Sequence, residues 1–170
     1  MKKLILILLI LTSCSSLRQK KAIDQIENKY LKIEKSTDLE TTNYELIKGV
    51  DISKSEEGSL TIYSKNSKVV KIERNLTGYG FQNTVSIYFN NEIPIFIIEN
   101  RKGEIVDYLT NGEIEHYEES YILKKYIFDW KNSVVETTST ENERTTNTTF
   151  PFCKPCYEKI IKIAQNQMTK

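Results

Sequence analysis

Two cysteines near the C-terminus carry the most distinctive chemistry in the sequence. They form the motif Phe152-Cys153-Lys154-Pro155-Cys156-Tyr157, at the start of a segment with helical periodicity. Backbone amides at a helix N-terminus stabilise a thiolate, which would lower the pKa of the first cysteine and make it reactive. Alternatively, the two cysteines form a disulfide that caps the helix, with Pro155 in its first turn. Because so short a loop is closed, that bond would contribute only about 2 kcal/mol.

The Cys-x-Pro-Cys spacing locally resembles the redox motif of the thioredoxin-like family. That fold needs several strands and helices after the motif, together with a cis-proline that contacts substrate. Only 14 residues follow Cys156 and none is proline, so a thioredoxin domain is excluded. Three interpretations of Cys153 and Cys156 stay open, namely a static disulfide, a redox role or pairing with a partner's thiol, and a zinc site. Zinc would need two further ligands.

His116 is the one histidine, and it lies among Glu113, Glu115, Glu118 and Glu119. We interpret it as a solvated surface side chain, with a general base or cation ligand as the alternative. One histidine cannot complete a reliable nucleophilic system, and nothing selects two catalytic carboxylates among the many glutamates. There is also no glycine-rich phosphate loop. We therefore expect no catalytic residue, no metal and no cofactor.

Aromatic residues suggest a binding surface. The chain has ten tyrosines and one tryptophan, and the longest aromatic stretch runs from Tyr117 to Trp130. Most aromatic side chains in strands pack in the core or against cross-strand neighbours. Those left exposed could contact a glycan or a protein. The predicted surface consists of Tyr117, Tyr121, Tyr126 and Trp130.

The N-terminus has the layout of a secretory signal peptide. Lys2 and Lys3 supply positive charge, residues 4–11 are apolar, and Thr12-Ser13-Cys14 follows. The apolar run is well short of the roughly 20 residues that span a bilayer. The sequence therefore predicts export rather than a permanent membrane-spanning helix.

Leu11-Thr12-Ser13-Cys14 resembles the bacterial lipobox. The resemblance implies cleavage after Ser13 and acylation of Cys14, with residues 1–13 as the lipoprotein signal peptide and residues 14–21 as a lipidated tether to the bilayer. Because Ser15 rather than aspartate follows the cysteine, it also implies the outer membrane, facing either the periplasm or the outside. Maturation would leave Cys153 and Cys156 in an oxidising compartment, which favours one disulfide.

Length, composition and net charge limit the classes of protein to which the chain could belong. The chain has 170 residues, is 39% hydrophobic and carries a net charge of +1. Near-neutral charge argues against a nucleic-acid partner. The length is that of one domain, assigned to residues 22–170, with enough apolar residues for an ordinary core.

Periodicity predicts the elements that position these residues. Residues 20–34 have an amphipathic helical pattern, and residues 157–168 have another. Between them, short runs rich in Ile, Val, Tyr and Phe alternate with turn residues such as Asn66-Ser67, Asn90-Asn91, Lys102-Gly103 and Asn111-Gly112. The predicted strands are 44–48, 59–64, 68–74, 84–89, 93–99, 104–109, 119–130 and 133–138. The threonine-rich segment 136–149 is either an exposed loop or a hairpin that turns near residues 141–143.

These elements define an α+β fold, an antiparallel β-meander with an N-terminal and a C-terminal helix packed on one face. The hairpin register in residues 58–73 and 84–99 is similar to that of a loose group of uncharacterised lipoproteins from AT-rich Gram-negative bacteria. That likeness covers residues 44–130 and implies no catalytic residue.

The sequence predicts a membrane-anchored envelope lipoprotein that acts as a non-enzymatic binding or interaction module. Its expected partners are the bilayer, through acylated Cys14, and an envelope or secreted protein. Two alternatives stay open. One is an envelope thiol–disulfide protein that uses Cys153 and Cys156, and the other is an inhibitor or immunity protein against an exported enzyme.

Overall fold

The computed structural model describes residues 2–108, 114–141, 144–146 and 151–169. Side chains are described in 17–104, 118–140 and 151–169 and at residue 114. The chain divides into two compact units, Met1–Ser36 and Thr37–Lys170.

The first unit is one long helix, α1 (Lys2–Glu34). It begins well before Lys20, where the amphipathic pattern predicted its start, because the preceding residues contain neither glycine nor proline and so nothing interrupts it. Residues 14–21, predicted as a tether, are therefore helical here. In the part of the chain that the structure describes, no helix is long and apolar enough to cross a membrane.

The second unit is an eight-stranded antiparallel sheet in which every strand pairs with its neighbour in the sequence. With α1 before it and α2 (Lys154–Met168) after it, the predicted α+β class and β-meander are confirmed. The strands are β1 (Glu40–Glu45), β2 (Glu57–Lys65), β3 (Lys68–Gly78), β4 (Phe81–Asn90), β5 (Ile93–Tyr108), β6 (Ile114–Asp129), β7 (Val134–Glu141) and β8 (Arg144–Thr146).

Two-residue turns join several of these strands. Asn66 and Ser67 connect β2 to β3 with φ of 52° and 60°, the left-handed values of a tight hairpin turn, at the predicted position. Asn91 and Glu92 connect β4 to β5 with φ of 50° and 66°, one residue later than predicted. The predicted turn at Asn111-Gly112 lies outside the described residues.

The prediction of a turn at Lys102-Gly103 was wrong. Strand β5 continues through it for 16 residues, joining the two strands predicted on either side. Gly103 lies opposite Phe81, and a Cβ there would come within 3.3 Å of the carbonyl oxygen of Gly80. This glycine therefore allows the Tyr79-Gly80 turn to approach β5 closely, rather than forming a turn of its own.

Helix α2 packs on one face of the sheet, here called the inner face, as predicted for the C-terminal helix. Tyr157, Ile160 and Ala164 are 4%, 1% and 1% exposed and belong to the core. They belong to the same core as a row of isoleucines on β2 to β5. The strand register places these residues side by side, Ile62, Ile72, Ile87 and Ile97. The opposite face is called the outer face.

The threonine-rich segment includes a hairpin. Strand β7 pairs with β6, and the short strand β8 pairs with β7 through Glu141 and Arg144. Of the two alternatives that composition left open, the hairpin is therefore the one observed. Threonine suits strands because its branched side chain packs well on a pleated surface.

Candidate functional site

Polar residues interrupt the apolar inner face in two adjacent rows. In the first row, strand pairing aligns Arg74, Val85, Glu99 and Leu123 across β3 to β6. In the second row, it aligns Leu76, Asn83, Arg101 and Tyr121 across the same strands. Successive inward positions of a strand are two residues apart, so both rows face the side that α2 covers.

A cavity of about 620 Å³ lies over these two rows. Its walls are the sheet, the segment 51–56 and the first turns of α2. This volume is within the range of pockets that hold small molecules, about 300–1,000 Å³. The polar side chains of the two rows therefore line a space that a ligand can enter.

A buried ion pair forms one wall of the cavity. Lys125, on β6, is 1% exposed, and its Nζ donates to Glu99 Oε1 at 2.5 Å. The Tyr157 hydroxyl of α2 donates to the same oxygen. Lys125 Nζ also lies 5.6 Å from the centroid of the Tyr157 ring. These contacts connect α2 to the centre of the sheet and satisfy a carboxylate that would be costly to bury alone.

Burial raises the pKa of the Tyr157 hydroxyl well above its ordinary value of 10.0, and the negative charge and hydrogen bond of Glu99 raise it further. A phenol whose pKa is higher in the folded protein than in the unfolded chain keeps its proton when the unfolded chain has lost it. The folded state is therefore disfavoured once the pH exceeds the unfolded value.

We expect the free energy of unfolding to fall above about pH 10 by up to about 1.4 kcal/mol per pH unit because of Tyr157, the full stability being present below that pH. Urea unfolding of wild type and Tyr157→Phe across this range measures the effect. The phenylalanine variant should lose this part of the slope. Tyr79→Phe is the control, because it removes the hydroxyl of a tyrosine that is 95% exposed. Equal slopes in wild type and Tyr157→Phe would contradict the assignment.

Arg74 is the second charged group of the cavity. Its Nη2 donates to Asn83 Oδ1 at 3.2 Å, whereas its Nε is buried and has no hydrogen-bond partner among the described residues. Burial lowers the pKa of the guanidinium, although nearby Glu99 and Glu56 oppose that shift. Arg74 thus enters the cavity with part of its hydrogen-bonding capacity unused.

Arg101 is the third charged group, and it pairs across the strands with both Asn83 and Tyr121. Its guanidinium lies over the Phe81 ring, 5.5 Å from the centroid. Stacking on an aromatic ring holds a guanidinium in place without using its five N–H donors. Arg74 and Arg101 therefore present donors to the same space from β3 and β5, the two strands that flank β4.

Cys153 and Cys156 are joined by a disulfide where α2 begins, and both line the cavity. Beside them, the Phe152 ring stacks on Tyr157 at 5.4 Å and meets Trp130 edge-on at 5.9 Å between centroids. The disulfide closes the first turn of α2, and the aromatic cluster packs that turn against the end of β6.

The four residues of the predicted aromatic surface lie in different places. Tyr121 lines the cavity, whereas Tyr126 is on the outer face, 5% exposed and 4.9 Å from the Phe96 ring. Trp130 packs on Phe152 at the end of β6. The side chain of Tyr117 lies outside the described set. Since 121 and 126 differ by an odd number, strand alternation puts their side chains on opposite faces.

For two further predicted positions, Cys14 and His116, the structure describes the backbone but not the side chain. Cys14 is within α1, and its side chain is outside the described set. His116 lies opposite Val106 in the β5–β6 register, and its side chain is likewise outside that set. Among the residues the structure describes, no group of three or more His, Cys, Asp or Glu side chains is arranged to hold a metal ion.

Sequence reasoning missed four charged residues of the cavity, Arg74, Glu99, Arg101 and Lys125. A signal for Lys125 was available, because Leu123 and Ile127 are apolar residues of β6 and alternation puts residue 125 on the same face. Glu99 similarly follows Ile97 by two positions on β5. A charge on a face that is otherwise apolar marks a pair or a site.

Comparison with known proteins adds no relative. No family model matches the chain, and neither a curated protein nor a solved structure is significantly similar to it.

Proposed function

We propose that the chain is a membrane-anchored envelope lipoprotein whose sheet domain is a non-enzymatic binding module, and that the inner-face cavity receives its ligand. The observation that carries the binding function is the cavity of about 620 Å³, in which polar side chains from β3 to β6 converge on an otherwise apolar face. Clefts of this volume in which polar groups converge are typical ligand sites. The anchor is supported by the lipobox-like segment that ends at Cys14.

The state of the cavity's polar groups supports binding over catalysis. Glu99 already accepts hydrogen bonds from Lys125 and Tyr157. The raised pKa of Tyr157 keeps its hydroxyl protonated at neutral pH, so it is a poor general base. A fixed, satisfied network of this kind is suited to orienting a ligand rather than to transferring protons.

Photo-cross-linking at neighbouring positions of β6 tests the binding site. We expect p-azidophenylalanine at Tyr121, which is close to tyrosine in shape, to form adducts in cells that produce the lipidated protein. The same residue at Ile122 is the control, because Ile122 lies one position along the strand and therefore faces the other side of the sheet. Intact-mass spectrometry detects small and large adducts alike. Equal or greater labelling at position 122 would contradict the cavity as the binding site.

A thiol–disulfide protein is the second candidate, favoured by the exposure of both Cys153 and Cys156 at the start of α2. Equilibration with glutathione separates the two candidates. If the bond only restrains α2, we expect a reduction potential below about −300 mV, the range of structural disulfides. A more oxidising potential would favour the redox function.

A further inference from the structure

Two arginines, Arg74 and Arg101, line the cavity. Among the residues that the structure describes, neither Arg74 nor Arg101 forms an ion pair. The one hydrogen bond of Arg74 is to the neutral Asn83 amide, and its buried Nε has no partner there. The contact of Arg101 is to the Phe81 ring. A buried donor without an acceptor is costly and calls for an explanation.

The acids that line the same cavity are engaged elsewhere. Glu99 accepts from Lys125 and Tyr157. Glu56 Oε2 accepts the Ser53 backbone N–H at 2.9 Å, and Asp51 Oδ2 accepts that of Ile47 at 3.0 Å. These hydrogen bonds hold the carboxylates on the segment 47–56 and beside Lys125, while Glu99 and Glu56 stay close enough to act on Arg74 electrostatically. The positive charges of the two arginines are therefore not matched by a direct partner in the described part of the domain.

The arrangement of the arginines matches an oxyanion. Asn83 accepts from Arg74 and lies directly opposite Arg101, so the three side chains occupy adjacent positions on β3, β4 and β5. The planar guanidinium is a forked donor whose geometry fits two oxygens of a carboxylate or phosphate. Strands hold these donors more rigidly than loops would, which reduces the ordering cost of binding.

We propose that the cavity binds a small molecule bearing a carboxylate or phosphate group, and that Arg74, Asn83 and Arg101 hold that group. The proposal rests on the cavity being the ligand site of the binding module and adds the chemical class of the ligand. The incoming oxyanion accepts hydrogen bonds from the cavity-lining guanidinium groups of Arg74 and Arg101 and places a negative charge in direct contact with them. Glu99 and Lys125 keep their own pairing and form the wall beside it.

Anion titration of the full-length chain in detergent micelles tests the proposal. The probes are inorganic phosphate and citrate, at ionic strength held constant with sodium chloride. We expect at least one probe to bind saturably and to shift the amide NMR signals of residues 74, 83 and 101. The two probes distinguish a phosphate ligand from a carboxylate ligand.

Charge-removing variants identify the donors. Arg101→Gln should weaken the affinity for the probe at least about tenfold, since it removes charge-assisted hydrogen bonds to the oxyanion. Arg74→Gln should do the same, and the exposed position of Arg101 keeps the test valid if Arg74→Gln folds poorly. Lys124→Gln is the matched control, because Lys124 is exposed and its strand position faces the outer side. Its affinity should match that of wild type.

Two results would overturn the proposal. One is the absence of saturable binding of either anion, and the other is binding that Arg101→Gln and Lys124→Gln leave equally strong. If either result is obtained while cross-linking is still stronger at position 121 than at position 122, the anion site is rejected and the binding module is retained. Loss of that cross-linking preference with anion binding intact would instead reject the proposed function.

Discussion

Replacing Lys125 by methionine is expected to lower the free energy of unfolding by about 3–5 kcal/mol, the usual cost of removing one partner of a buried ion pair. Methionine fills most of the volume of the lysine stem, so the loss would come mainly from the charge. Without Lys125, Glu99 keeps the Tyr157 hydroxyl but loses its compensating cation. Urea denaturation followed by circular dichroism measures the change.

Lys124→Met is the matched control, because Lys124 is the neighbouring residue of β6 and is exposed. We expect it to change stability by no more than about 0.5 kcal/mol. The double variant Lys125→Met with Glu99→Gln should recover most of the lost stability, since it removes the unpaired charge as well. If the Lys125 and Lys124 variants were equally stable, the ion pair would not be a structural element of the cavity wall.

Replacing Cys14 by alanine is expected to abolish lipid attachment. The proposed anchor uses the Cys14 sulfur and the new amine of the same residue, and no other position could supply both. Each buried methylene contributes about 0.8 kcal/mol to membrane binding, and stable anchoring needs at least two chains. Incorporation of labelled palmitate and the distribution of the protein between membrane and soluble fractions measure the effect.

Cys156→Ser provides the control for the Cys14 variant, because it also removes one cysteine but leaves the lipobox-like segment intact. It should incorporate palmitate as wild type does. Palmitate labelling that survives Cys14→Ala, or a wild-type protein that carries no lipid, would reject the proposed anchor. The binding function of the cavity would then need a different cellular setting, although its geometry would be unchanged.

The general fold could be predicted because it depends on local signals. Alternating residues such as Leu60 and Ile62 determine which face of a strand is buried, and paired residues such as Asn66 and Ser67 favour a left-handed turn. Short strands that follow one another without an intervening helix pair in sequence order. The same local reading was wrong at Gly103, because a glycine that forms a turn and one that admits a neighbouring turn look alike in a sequence.

The candidate site could be predicted only in part. Cys153, Cys156 and Tyr121 were singled out by residue type, and all three line the cavity. Tyr126 was grouped with Tyr121 because it is close in sequence, although alternation separates the two. The arginine pair was missed because Arg74 and Arg101 are 27 positions apart and resemble ordinary solvated charges when each is taken alone.

The sequence by itself determined the order of the strands, the α+β class and the choice of a few reactive residues, because these follow from periodicity and turn chemistry within about ten residues of chain. Only the tertiary structure decided that Glu99 meets Lys125 and Tyr157, and that Arg74 and Arg101 share a cavity. The physical reason is that strand register and the docking of α2 bring together groups far apart in the chain. Burial and charge balance depend on that assembled environment and not on any one segment.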